Sequence, residues 1–323
     1  MGRDDQSADE PARLTERPAV THPPVTIHHG SEGELEWGDQ PSVGRVIVVG
    51  GGTMGAGIVH VMLGCGANVA LVENDAAAAA AALERLWQSL ERRPDVDSAP
   101  SAEILGRLRV YVGVPSRCRA DLVVEAVPEQ IELKLSVLAA IDAGVEEAVI
   151  ATNTSSLSVD VLADALTDPS RLVGMHFFNP VPPSRLIEVV AGARSSQRAI
   201  EAVTHWVGLL GKEHIQVSDS PGLATSRLGV AIALEAMRMV EEGVASAADI
   251  DRGMMLGYRF PVGPLELTDR VGLDVRLAIA EHLEREIGPR FRPPDLLRMM
   301  VDEGALGRKA GRGFYSWGPE GRR

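Results

Sequence analysis

Gly44-Arg-Val-Ile-Val-Val-Gly-Gly-Gly-Thr-Met-Gly55 is the stretch whose reading decides the fold. Its first half is a short continuous apolar run, the pattern of a parallel strand covered on both faces. Gly50, Gly52 and Gly55 then match G-x-G-x-x-G around Thr53 and Met54, and Met54 to Leu63 continues as an apolar helix. The first glycine permits a tight turn, the second lets backbone approach a pyrophosphate, and the third lets the helix pack on the strand. A diphosphate then sits at the helix N-terminus. The strand Asn68-Val-Ala-Leu-Val72 ends in Glu73, roughly 20 residues on, where the fingerprint needs a carboxylate for the adenosine ribose hydroxyls. Asn74 and Asp75 follow with no arginine there to receive a 2′-phosphate, which selects NAD over NADP.

Outward from this unit the pattern repeats. Ala76 to Arg93 reads as a helix, with Leu83, Leu86 and Leu90 at helical spacing. Its Arg85, Arg92 and Arg93 are either a solvated face or a holder for an anionic substrate handle. Ala120-Asp-Leu-Val-Val-Glu-Ala126 and Ala148-Val-Ile-Ala-Thr152 are further buried-type strands. Glu129 to Ile141, carrying Lys134, is the helix between them. Glu125 and Asn153-Thr-Ser-Ser156 fall at carboxyl ends of strands, the ligand side of an open α/β sheet. After a helix from Gln197 to Leu210 and a short run Ile215-Gln-Val217, Ser218-Asp-Ser-Pro221 signals a helix start. From there Gly222 to Glu242, Ser246 to Leu256, Leu273 to Ile287 and Asp295 to Glu303 are helical in pattern. The expected fold is α/β: an N-terminal Rossmann-type, doubly wound, mostly parallel sheet followed by an all-helical C-terminal domain.

Length agrees with two domains, since 323 residues are many for one core. Residues 1–42 are rich in Pro, Gly, Ser and acids without apolar periodicity, which predicts a disordered acidic arm, with His28 and His29 as solvated residues and Trp37 as its anchor. Residues 43–218 form the NAD-binding domain and 219–323 the helical one. A net charge of −13 gives no footprint for nucleic acid or an anionic membrane. No apolar stretch approaches the ~20 residues of a bilayer span. The cysteines, Cys65 and Cys118, have no metal-ligand spacing; as reduced thiols they suit a cytoplasmic protein, and no metal is expected.

The chemistry points to Gly174-Met-His-Phe-Phe-Asn-Pro-Val-Pro-Pro-Ser-Arg-Leu-Ile-Glu-Val-Val190. His176 follows an apolar run and Glu188 lies inside another. Pro180, Pro182 and Pro183 make Asn179 to Ser184 a turn-rich connection, which folds Glu188 back toward His176. A carboxylate in an apolar run needs a hydrogen-bonding partner, and a histidine paired with it has its tautomer fixed, as a general base requires.

With the glycine loop, Asn153-Thr-Ser-Ser156, His176-Phe-Phe-Asn-Pro180, Glu188, Ser220-Pro-Gly222 and Gly311-Arg-Gly-Phe-Tyr315 in one order, the chain resembles the L-3-hydroxyacyl-CoA dehydrogenase family over about residues 44 to 317. It looks closest to the bacterial 3-hydroxybutyryl-CoA dehydrogenases. The resemblance implies an acyl-CoA substrate, His176 as general base, Glu188 orienting it and Ser155 on the substrate oxygen. It implies Glu125, Lys134, Asn153 and Asn179 at the cofactor, and a homodimer made through the helical, substrate-binding domain. Two departures stand out. Leu223 and Ser226 occupy positions where the family commonly has Phe and Asn, and the stretch between Arg93 and Arg109 has no lysine. Two other readings stay open: a dehydrogenase of a small free hydroxy acid, resembling gulonate 3-dehydrogenase or λ-crystallin, and a non-catalytic NAD-binding protein.

Overall fold

The computed structural model describes residues 25–29, 35, 37, 41–91, 102–319 and 321–322. Arg92 and Arg93, and most of the acidic arm, lie outside them. A nine-stranded sheet runs in the order Ile27–His29, Leu108–Val112, Asn68–Glu73, Arg45–Val49, Leu122–Glu125, Val149–Thr152, Leu172–Phe177, Leu186–Ala191, Glu213–Ser218. Every pairing is parallel except that of Leu172–Phe177 with Leu186–Ala191. The apolar runs are continuous because both faces are covered. Val46, Val48, Leu71 and Val124 pack on one side with the helices Thr53–Gly64, Ala76–Glu91 and Gln197–Leu209. Ile47, Val49, Val72 and Val123 pack on the other with the helix Ile131–Gly144. This is the doubly wound arrangement that the period-one apolar pattern predicts.

Two strands of this sheet differ from expectation. Leu108–Val112 is a strand that the sequence hides, since Leu-Arg-Val-Tyr-Val is short and interrupted by an arginine that remains half-buried near the sheet's edge. Ile27–His29 pairs with it, and His28 stacks on Tyr111 at 5.2 Å. So this part of the expected arm is an edge strand, and His28 is not a solvated residue. Leu35 is buried, and Trp37 Nε1 donates to the Arg119 carbonyl at 3.1 Å, so Trp37 does anchor the segment.

Beyond Ser218 the chain is built on the helices Thr225–Glu241, Ala247–Gly257, Pro264–Val271, Leu273–Ile287 and Asp295–Asp302 around their own core of Val230, Leu234, Met237, Leu265, Leu283 and Leu297. Pro264–Val271 escapes periodicity because it is only eight residues long, although Gly263 and Pro264 mark its start. A short hairpin, Trp317–Gly318 with Gly321–Arg322, interrupts the expected all-helical pattern.

Candidate active site

The register fixes where the site lies. Val72, Val49, Glu125, Thr152 and Gly174 are successive partners across the sheet. The segments just beyond this row leave the carboxyl edge together: Glu73, Gly50 to Gly55, the chain after Glu125, Asn153 to Ser156, and His176. Loops at this edge of a parallel sheet are where α/β proteins bind ligands.

The glycine loop is built as its spacing requires. Gly50 sits at φ +96°, and a Cβ on Gly55 would lie 1.7 Å from the Gly50 carbonyl oxygen, so both positions exclude a side chain. A Cβ on Gly52 would meet no protein atom within 4 Å, which leaves that approach open to a pyrophosphate. Thr53 and Met54 begin the helix whose first amides lack carbonyl partners. Glu73 accepts the Gly51 amide at 2.5 Å through Oε1, which aims the carboxylate at the loop. Gly51, an unassigned position of the motif, also has no room for a Cβ, which would fall 2.3 Å from that of Ala82. These observations fit a dinucleotide.

On the antiparallel pair, His176 and Glu188 are direct register partners, and His176 Nδ1 lies 2.7 Å from Glu188 Oε2. Glu188 is fully buried and His176 nearly so. An ionised carboxylate only accepts, so Nδ1 carries the proton and Nε2 is the basic nitrogen. Phe178 packs against the imidazole at 4.8 Å. Burial pushes the Glu188 carboxyl up, but hydrogen bonds from His176 and from the Thr225 amide and hydroxyl outweigh it and hold the group below the ordinary glutamate value.

Those last donors come from the second domain. Ala224 N and Thr225 N donate to Glu188 Oε1 at 3.2 and 2.9 Å, and Thr225 Oγ1 donates to Oε2 at 2.9 Å. The helix expected to start at Pro221 begins instead at Thr225 with no local side-chain cap, and Glu188 takes its first amides from across the fold. Asp219, within the expected start signal, accepts instead from Ser158 Oγ and Asp160 N at the head of another helix. Thr225 is one residue that the sequence reading missed. The sequence carried no signal for it, because the uncapped helix start that demands an outside acceptor is seen only in the structure. Ser226 is half-buried in the same first turn, and its hydroxyl meets no partner among the described residues.

Glu125 and Lys134, expected at the cofactor, have no exposed side-chain surface. Lys134 Nζ is 2.7 and 3.0 Å from the two Glu125 oxygens, and Thr152 Oγ1 and Val127 N complete the carboxylate's partners. The pair is a satisfied buried ion pair under the edge. The carboxylate at the edge is Glu129, which the sequence reading passed over. Its Oε1 accepts Thr154 Oγ1 at 2.7 Å, Ser155 N at 2.8 Å and Ser156 N at 2.9 Å. Burial pushes it up, but the Lys134 charge and these bonds hold it below the usual range. Its position just past a strand's carboxyl end was the available clue. Ser155 Oγ contacts Glu129 at a long 3.3 Å and stays exposed enough to turn to a ligand. Asn153 Oδ1 accepts the Phe177 amide at 2.9 Å and so ties the Ser155 loop to the His176 strand.

Asn179 is exposed and lines a cleft of about 950 Å³ with Thr53, His60, Arg85, Ser89 and Lys212. None of the described residues lining it is an acid. Lys212 Nζ is spent on the carbonyls of Val181, Pro182 and Ser184. Arg85 reaches the glycine loop, where Nη1 donates to the Gly51 carbonyl at 3.2 Å. Among the described residues no cluster of His, Cys, Asp or Glu has a metal-holding arrangement, and no helix is long and apolar enough to cross a membrane.

Comparison with known proteins gives the same two-part organisation. Residues 45–220 match the family model 3-hydroxyacyl-CoA dehydrogenase, NAD binding domain, and residues 222–317 match 3-hydroxyacyl-CoA dehydrogenase, C-terminal domain. A 3-hydroxybutyryl-CoA dehydrogenase of Mycobacterium tuberculosis is 38% identical over 283 residues, covering 85% of this chain and 99% of its own. The mitochondrial hydroxyacyl-coenzyme A dehydrogenase of Sus scrofa is 36% identical, over 85% of this chain and 91% of its own. The solved structure of (S)-3-hydroxybutyryl-CoA dehydrogenase from Ralstonia eutropha superposes with a TM-score of 0.79 at 38% identity, over 85% of this chain and 99% of that one.

Proposed function

The chain belongs to the 3-hydroxyacyl-CoA dehydrogenase family, and from that premise we propose that it interconverts (S)-3-hydroxyacyl-CoA and 3-oxoacyl-CoA, with short-chain 3-hydroxybutyryl-CoA as substrate and His176 as general base. The observation that carries this reading is the buried His176–Glu188 pair at the same sheet edge as the glycine loop. Its Nε2 takes the 3-hydroxyl proton in oxidation and returns it in reduction, and Glu188 stabilises the imidazolium between. NAD, when bound on Gly50 to Gly55 and Glu73, would supply the acceptor for the hydride that leaves C3 of the hydroxyacyl group. Ser155 and Ser226 hold the substrate oxygen beside His176.

The cleft supports a thioester over a small free acid. It is large, and its Arg85 faces no lining carboxylate in a chain of net charge −13, so it suits a bulky anionic ligand. The enzyme acts in the cytoplasm as a homodimer. Leu228, Leu256, Tyr258 and Met299 leave apolar surface on the helical domain for that contact.

The test is oxidation of NADH, followed by absorbance, with acetoacetyl-CoA as substrate and with NADPH and free acetoacetate as controls. Turnover with NADH and the thioester alone is the expected result. Turnover with acetoacetate at a comparable kcat/KM would move the assignment to a free-acid dehydrogenase.

A further inference from the structure

Glu188 accepts from four groups: His176 Nδ1 and Thr225 Oγ1 on Oε2, and the amides of Ala224 and Thr225 on Oε1. The two amides already seat the helix on the carboxylate. The Thr225 hydroxyl is therefore not needed to hold that junction, yet it shares the one oxygen that faces the imidazole. We propose that Thr225 is a positioning residue of the dehydrogenase reaction, its hydroxyl setting how strongly Glu188 draws on His176 and so how basic Nε2 is. This rests on the reading of His176 as the base.

The surroundings leave few competitors for that role. On the strand Glu213–Ser218 the register partner of Glu188 is Ile215, which carries no charge. Arg227, in the same helix turn, donates to Ser220 Oγ, and Asp219 is engaged by Ser158 and Asp160 N. From the strand Leu172–Phe177 the facing titratable group is His176 itself. A neutral donor on Oε2 withdraws carboxylate charge that would otherwise stabilise the imidazolium. Valine has nearly the shape of threonine, so Thr225→Val removes the donor while the amide contacts persist.

Two measurements follow, on Thr225→Val and Thr225→Ser. The first is an NMR titration of the full-length, ligand-free protein with labelled histidine, in which the His176 signal is assigned through a His176→Gln variant. The second is the pH profile of kcat/KM for oxidation of 3-hydroxybutyryl-CoA. Thr225→Val should raise the His176 midpoint, and the acid limb of the profile with it, by about half to one pH unit, roughly half of what one hydrogen bond to a charged group is worth, since only part of the lost bond is felt at the imidazole. Thr225→Ser should return both to wild type, with the KM for NAD unchanged throughout. A Val variant that titrates with wild type, or a Ser variant that fails to restore it, overturns the role of the hydroxyl. The titration needs no substrate, so it is separable from the reaction beneath it, which an inactive wild type would overturn.

Discussion

His176 and Glu188 are held by backbone register, and their chemistry follows from who donates to whom. Glu188 has its carboxyl held below the ordinary value of 4.5, so its contribution to stability is present above the unfolded value and is lost as pH falls through the lower folded one. Glu188→Gln removes that dependence. The variant's denaturation midpoint should vary less than wild type's below about pH 4.5, the unfolded-glutamate region. An amide also leaves His176 Nδ1 facing a mixed donor and acceptor, so turnover should fall roughly 10²–10⁴-fold through the wrong tautomer. A pH-stability curve parallel to wild type would contradict the assigned hydrogen bonds. Both residues were legible in the sequence because a charged group inside an apolar, proline-interrupted run needs a partner. Thr225 and Glu129 were not, since their roles depend on contacts 37 and 25 to 27 residues away.

Elements carry the cofactor side. The strand, turn and helix from Arg45 to Gly64 could be read directly, because each glycine answers a local steric demand. Gly55→Ala places a methyl against the Gly50 carbonyl, where 1.7 Å is available. It should abolish detectable NADH binding by fluorescence titration, and retained micromolar affinity would sink the loop assignment. The motif Gly311-Arg-Gly-Phe-Tyr315 taught a different lesson. It was recognised by resemblance, and the structure gives it a structural part: Phe314 N, Tyr315 N and Trp317 Nε1 donate to buried Asp269, and Tyr315 OH donates to buried Asp251. Gly313 is needed there because a Cβ would fall 2.1 Å from Asp269 Oδ1. Composition could not show this clamp, since its acceptors lie 45 to 64 residues before their donors. The strands Ile27–His29 and Leu108–Val112 were illegible for local reasons: the first has only 3 residues, and Arg109 interrupts the apolar run of the second.

At the scale of the whole molecule, the Rossmann-type sheet supplies His176 and Glu188, and the helical domain supplies amide and hydroxyl donors to Glu188. The junction at Glu188 thus makes one site from two parts of the chain. On the surface of the helical domain Leu256 is 71% and Tyr258 76% exposed. Replacing both by Glu should convert a dimer to a monomer in analytical ultracentrifugation. A wild type that sediments as a monomer would contradict the proposed assembly.

The central claim, that His176 is the general base at this edge, is tested most directly by His176→Ala in two assays run side by side: NADH binding by fluorescence and NADH oxidation with acetoacetyl-CoA. Binding should match wild type, because the glycine loop is untouched, while kcat falls by roughly 10²–10⁴-fold. Turnover near wild type with binding intact would contradict the account.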